Sequence, residues 1–254
     1  MREADFQLDA AVNGSGIKRE DTRLRAFAER QLDSVQLHFV VKRRKPDFFK
    51  ALQRADGERH RFGELLPYGL QRVEVEVSLA QGANFELFAA NIGTGLSTNE
   101  IVTTVKHVGE GGRSRQTVRS VLNGKATGSY LGKVEVARGA QQTDAEQSVK
   151  AMLLDRGATA NCKPELEIFA DDVKCAHGAS VGELDAMQLF YAESRGLDPA
   201  SARALLLEGF VMGLWDSAKQ GDAICEAARE ALRRVVSPSP MGEGGAQPQA
   251  GRLR

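Results

Sequence analysis

The apolar residues of this chain change their spacing along its length. Between Arg72 and Leu79, Val73, Val75, Val77 and Leu79 alternate with Glu74, Glu76 and Ser78. Successive side chains on an extended backbone leave opposite faces, so this stretch reads as a half-buried strand. Further short strands are expected at residues 84–90, 100–108, 115–122, 127–136, 149–154, 165–170 and 173–177. Turn signals separate them, among them Gln81-Gly82, the Gly-Thr-Gly run at 93–95 and Asn123-Gly124. No segment of helical length intervenes, which argues against a doubly wound α/β sheet. A sandwich, a barrel or a stacked solenoid remains, and no fixed repeat decides among them. Gly128 and Gly132 break the alternation of residues 127–136, as glycine does at a bulge or a close backbone approach. The residues expected inside are Val73, Val75, Val77, Val134, Val136, Leu166 and Ile168.

Outside this region the pattern differs. Residues 20–32 have helical composition, with Leu24, Phe27 and Leu32 as apolar positions, and residues 35–41 read as a strand. Pro46, Gly57 and Gly63 punctuate the stretch between that strand and Leu70. After His177 the spacing turns helical. Asp185 is an N-cap with Gln188 three residues on, and Leu184, Met187, Leu189, Phe190 and Tyr191 supply an apolar side before Gly196. Asp198-Pro199 opens a second helix carrying Ala202, Leu205, Leu206, Phe210, Val211 and Leu214, with Leu205 and Leu206 expected in the core. A third starts near Asp222 with Ile224, Ala228, Leu232 and Val235. Residues 237–254 are rich in Pro, Gly and Gln and read as a disordered tail. The expected division is 1–70, 71–180 (strands), 181–236 (helices) and 237–254.

Composition removes several function classes. Lys+Arg and Asp+Glu are equal at 34 each in 254 residues, so no net field draws the chain to nucleic acid or a lipid surface. The cluster Lys42-Arg43-Arg44-Lys45 reads as a solvated face. Cys162, Cys175 and Cys225 are too few and too scattered for a disulfide framework. No apolar run approaches the roughly 20 residues that span a bilayer, and the first residues hold no apolar signal core. A reduced, cytoplasmic setting is expected.

Candidate chemistry concentrates at Cys175 and His177. At i and i+2 on a strand they share a face, and a thiolate beside an imidazole suits iron, zinc or copper(I). From spacing alone, core packing is the favoured reading of Cys175, because a buried free cysteine behaves as a small hydrophobe. Cys162 added to this pair would complete a three-ligand zinc site, although its spacing is not that of a zinc motif. Cys225 reads as helix packing. Asp171 and Asp172, adjacent on the chain, point to opposite faces and read as turn residues or a rim salt bridge rather than an acid/base pair. Glu165 and Glu167 share an outward face. The run Gly109-x-Gly111-Gly112 lacks the Lys-Ser/Thr ending of a phosphate loop, and no nucleophile elbow is present.

Several ordered segments carry a resemblance: SRQTVRSVLNGKA (114–126), GKVEV (132–136), AQQTDAEQ (140–147), KPELEIFADDVKCAHGASVGELD (163–185) and LFYAESRGL (189–197). Together they resemble the SufB/SufD family of SUF iron–sulfur cluster assembly scaffolds, and within it the SufD branch. The resemblance implies a right-handed parallel β-helix followed by a small helical domain. It also implies a non-catalytic scaffold that pairs with the paralogue SufB through the β-helix and with the SufC ATPase through the C-terminal helices. His177 and Cys175 would then be iron–sulfur ligands at the SufB interface, holding a cluster only transiently. Residues 1–70 match the family poorly. Gln142 stands where many relatives have lysine, and the histidine stretch before Ser114 is reduced to His107. Two other readings compete: a β-solenoid that only docks the ATPase, and a β-helix enzyme such as a polysaccharide lyase or acyltransferase.

Overall fold

The structure, a computed structural model, describes residues 70–215 and 222–236 without a break, and in the preceding part the five strands named below. The expected tail at 237–254 and the basic positions 43–45 lie outside the described residues, as does the punctuation at Pro46, Gly57 and Gly63.

Two parallel sheets stack on each other, and the chain visits them in turn. One sheet contains β2 (Glu20–Ala28), β6 (Leu70–Leu79), β8 (Thr98–His107), β10 (Thr127–Val136) and β12 (Thr159–Ile168). The other contains β3 (Ser34–Lys42), β7 (Asn84–Gly93), β9 (Arg113–Leu122), β11 (Thr143–Leu153) and β13 (Val173–Gly182). β1 (Phe6–Ala11) pairs antiparallel with β2, and β4 (Leu52–Gln53) pairs with β5 (Arg59–His60). Each rung is one strand of each sheet, so the fold is a parallel β-solenoid of about four turns from β6 to β13. Positions 70, 98, 127 and 159 share one register column. The rungs therefore lengthen along the chain, which is why no fixed period was visible in the sequence.

The core is the space between the sheets. Val75, Val77, Phe85, Leu87, Ile101, Val105, Val118, Val134, Val136 and Val149 fill it, all essentially inaccessible. The outer faces carry ion pairs between rungs, including Arg72–Glu100 at 3.1 Å, Lys106–Glu76 at 3.2 Å and Lys133–Glu167 at 2.6 Å. Exposed pairs of this kind contribute little individually. They do explain the outward face of Glu167, which lies opposite Leu166.

Gly132 has a specific reason. A Cβ there would fall 2.1 Å from the Tyr130 hydroxyl oxygen, so the missing side chain lets the phenol lie along the strand interior. Where the chain passes between sheets, Gly82 and Gly111 take positive φ, and so does Gln142 at 57°. Gln142 donates its backbone N–H to the Asp172 carbonyl at 2.6 Å, while Asp172 N–H donates to the Gln141 side-chain oxygen at 2.9 Å. Asp172 is thus a turn residue.

Several expectations are corrected. The helix expected over residues 20–32 is corrected where the chain is described: residues 20–28 are the strand β2, with Leu24, Ala26 and Ala28 in register with Val75, Val77 and Leu79, and residues 29–32 lie outside the described residues. Tertiary pairing overrides local propensity there. β11 starts at Thr143 and β12 at Thr159, both earlier than the alternation indicated, and β13 runs on to Gly182. Ile168 is 39% exposed, and Val73 and Leu166 are only half-buried. Ile168 and Leu166 face inward on β12, but among the described residues no further rung covers them.

Three helices complete the described chain. α1 (Ala186–Ser194) is capped by Asp185, whose carboxylate accepts from Met187 N–H and Gln188 N–H. α2 (Pro199–Met212) is capped by Asp198, with proline in its first turn. α3 (Asp222–Val236) buries Ile224, Ala228, Ala231, Leu232 and Val235 against Ala90, Ile92 and Val121 of the second sheet. Asn123, in the turn between β9 and β10, donates to the Val235 carbonyl at 2.8 Å and ties the end of α3 to the solenoid. On α2 the buried residues are Ala202, Leu207 and Val211; Leu205 is 56% exposed and Leu206 half-buried. The helix turns a different side to its neighbours than expected, because Leu207 and Val211 meet α3.

Candidate functional site

The solenoid ends in an open rung. β12 and β13 are the last strands of their sheets, with no strand hydrogen-bonded beyond them among the described residues. Residues that face inward here look onto the end of the core rather than into another layer. On β13, Val173 and Cys175 pack half-buried against the core, and His177, two residues on and on the same face, is exposed. On β12, Cys162 packs against the core from the opposite sheet. Register fixes what lies beneath each: Cys162 stacks on Tyr130, Cys175 on Ala145 and His177 on Gln147.

Burial pushes the Cys175 thiol above its ordinary range, a backbone hydrogen bond at Ala145 partly offsets this, and the nearby Asp144 carboxylate adds a lesser upward push. Burial likewise raises Cys162. Both are held as thiols until a metal or a base takes the proton. Cys175 and His177 lie about 7 Å apart along the strand, near enough for both to reach one metal ion or one cluster. Among the described residues no three His, Cys, Asp or Glu side chains gather into a metal-sized group. Cys162 therefore does not complete a zinc site with the pair. Cys225 lies half-buried among the apolar contacts of α3. Asp171, Glu165 and Glu167 are exposed.

Beneath the open rung the core is polar, which sequence reasoning missed. The Tyr130 hydroxyl donates to Gln116 Oε1 at 3.1 Å, accepts from Gln147 Nε2 at 3.2 Å and lies 3.2 Å from Thr103 Oγ1. Burial pushes this phenol up to about 12, with smaller opposing effects from the bonds to Thr103 and Gln147. His107, fully buried, places Nε2 2.9 Å from Ser114 Oγ. Gln116 and Gln147 occupy one register column. Their inward direction was legible in principle, because each alternates in step with a buried valine two residues on, Val118 or Val149.

The helices add a second exposed feature. Met187 is 72% exposed, and Phe190, Tyr191 and Leu205 are exposed as well. The apolar side of α1 expected from sequence thus faces outward, with only Ala192 buried. No helix is long and apolar enough to cross a membrane among the described residues.

Residues 50–210 match the family described as SUF system FeS cluster assembly, SufBD core domain. Protein ABCI7, chloroplastic, of Arabidopsis thaliana is 45% identical over 102 residues, covering 39% of this chain and 21% of that protein. An iron–sulfur cluster assembly SufBD family protein of Synechocystis is 33% identical over 153 residues, 60% of this chain and 33% of that protein. Iron–sulfur cluster assembly protein SufD of Escherichia coli is 36% identical over 104 residues, 41% of this chain and 25% of that protein. The matched stretches cover a third or less of these relatives' lengths. The family match spans well over half of this chain, from β4 to the last turn of α2, and the parallel solenoid agrees with it: the chain belongs to the SufB/SufD family.

Proposed function

We propose that this chain is a non-catalytic scaffold subunit of the SUF iron–sulfur assembly machinery, working in the cytoplasm with a SufB paralogue and the SufC ATPase. The observation that carries the reading is the open rung. Two strand edges unpaired among the described residues, β12 and β13, border an uncovered core end holding Cys162, Leu166, Ile168, Cys175 and His177. An exposed strand edge with apolar side chains calls for a partner, and a paralogous solenoid offers a matching end. His177 and Cys175 would supply two ligands to a cluster shared across that junction. Iron–sulfur clusters are commonly held by four protein ligands, so the remainder come from the partner or a small thiol, and the isolated chain holds iron poorly. The cluster is cargo, assembled and passed on. Met187, Phe190, Tyr191 and Leu205 form the apolar surface on which the ATPase docks.

Amide hydrogen exchange tests the arrangement. In the complex co-expressed with a SufB and a SufC protein, β12 and β13 should become protected when SufB is present. α1 and α2 should become protected when SufC is present. Unchanged exchange along β13 in a complex that still contains SufB would refute the junction. A second reading, a solenoid that only docks the ATPase, predicts protection in the helices alone.

A further inference from the structure

The buried polar column under the open rung ends at an unpaired atom. Gln147 is 1% exposed, and its Nε2 donates to the Tyr130 hydroxyl. That bond fixes which way the amide points, and Gln147 Oε1 is left buried with no hydrogen-bond partner. A buried carbonyl without a donor costs on the order of 1–3 kcal/mol. The residue stacked directly on Gln147 is His177, its register partner on β13. Same-face partners on neighbouring parallel strands lie about 4.8 Å apart, within reach of a ring N–H aimed back into the core. Beyond His177 the column stops.

Resting on the reading of His177 as a cluster ligand, the geometry points to Gln147 as the positioning residue for that ligand. Its side-chain carbonyl, unpartnered in this structure, is the acceptor that one ring N–H of His177 would reach once the exposed ring turns inward, leaving the other ring nitrogen directed out of the open end. A ligating histidine nearly always donates its second nitrogen to such an acceptor, which fixes both tautomer and ring plane. Here the acceptor is itself braced. Tyr130 holds the far end of the Gln147 amide, Thr103 and Gln116 hold Tyr130, and Gln116 stacks under Gln147 in the same column. That bond would anchor the His177 ring, exposed in this structure, to the solenoid interior. The scheme also gives Tyr130, Gln116 and Gln147 a common reason to be polar in a core otherwise built from valine, leucine and alanine.

The test uses the full metal-free chain, so it does not depend on cluster loading. In 1H–15N spectra at pH 8, wild type should show a ring N–H of His177 that exchanges slowly with water, assigned by its loss in His177→Ala. Gln147→Met should abolish that signal while the backbone spectrum stays that of the folded protein. Gln147→Glu, which keeps an acceptor at this position, should restore it. In the reconstituted complex, Gln147→Met should weaken iron binding roughly 10- to 100-fold, the usual effect of removing such a partner. Absence of a protected His177 N–H in wild type overturns the proposal whether or not the variants fold, and so does its persistence in Gln147→Met. If the N–H is protected but His177→Ala leaves cluster yield unchanged, the positioning stands and the ligand reading falls.

Discussion

His107 should make this protein acid-sensitive in a narrow and calculable window. It lies at the end of β8, stacked in register between Leu79 and Val136. Its Nε2 meets Ser114 Oγ, and Nδ1 has no partner. A Cβ at Gly112 would stand only 2.8 Å from Nδ1, so the ring is tightly enclosed. Desolvation accordingly lowers its pKa from 6.5 to about 4. The folded protein thus keeps His107 neutral while the unfolded chain takes up a proton as pH falls through about 6.5. Between these two values the unfolded state binds more protons, and stability falls with falling pH. At about 1.4 kcal/mol per pH decade the loss from this one residue is about 1.4 kcal/mol at pH 5.5. It approaches about 3 kcal/mol near pH 4 and is absent above pH 7. The assay is equilibrium urea unfolding of wild type and His107→Gln at pH 7.5, 5.5 and 4.0. Gln is of similar size and can still bond Ser114, while carboxylate effects common to both proteins cancel in the difference. The stability of wild type relative to His107→Gln should decline by the amounts above. Parallel stability curves for the two proteins would refute the argument.

The same core and surface yield three further expectations. Tyr130→Phe removes a hydroxyl that contacts Thr103, Gln116 and Gln147, and should cost about 2–4 kcal/mol in urea unfolding because buried amide groups lose their partner; a loss well under 1 kcal/mol would mean the network is dispensable. Gln142→Gly relieves a non-glycine residue held at φ 57° and should stabilise by up to about 1 kcal/mol, read as a rise in Tm; a lower Tm would count against that strain. The isolated chain, which carries no phosphate-loop sequence, should neither bind nor hydrolyse ATP, and micromolar affinity by calorimetry would contradict this.

Much of the solenoid was legible because the inward positions of β6, β8 and the second half of β10 alternate with charged or polar residues, and period two is a local signal. The stacking was not legible locally. Columns such as Ile101–Tyr130–Cys162 join residues whose separation changes from rung to rung, so only the family resemblance pointed to a solenoid. The helix expected over residues 20–32 failed because β2 takes its conformation from pairing with β6, a contact no window of the sequence contains. Ile168 failed for a related reason: its alternation correctly gave the inward face but could not reveal that β12 is the last strand of its sheet. Leu205 misled because α2 is apolar on several sides, and only contact with α3 decides which side is buried. Cys175 and His177 were singled out as candidates by their same-face spacing and by the family resemblance, and the structure sets both on β13, the first half-buried and the second exposed. The support beneath them, Gln147 and Tyr130, lies on other strands and was visible only once register was known.

The claim that the open rung presents ligands to a shared cluster is tested most directly by iron and acid-labile sulfide analysis of the purified complex with SufB and SufC. His177→Ala should lower both contents without dissociating the complex. Cys175→Ser should have the smaller effect, in keeping with a thiol whose burial opposes ionisation, and the double substitution should reduce cluster content furthest. Wild-type iron and sulfide in the double substitution would contradict the account and leave Cys175 and His177 as packing at the end of a solenoid.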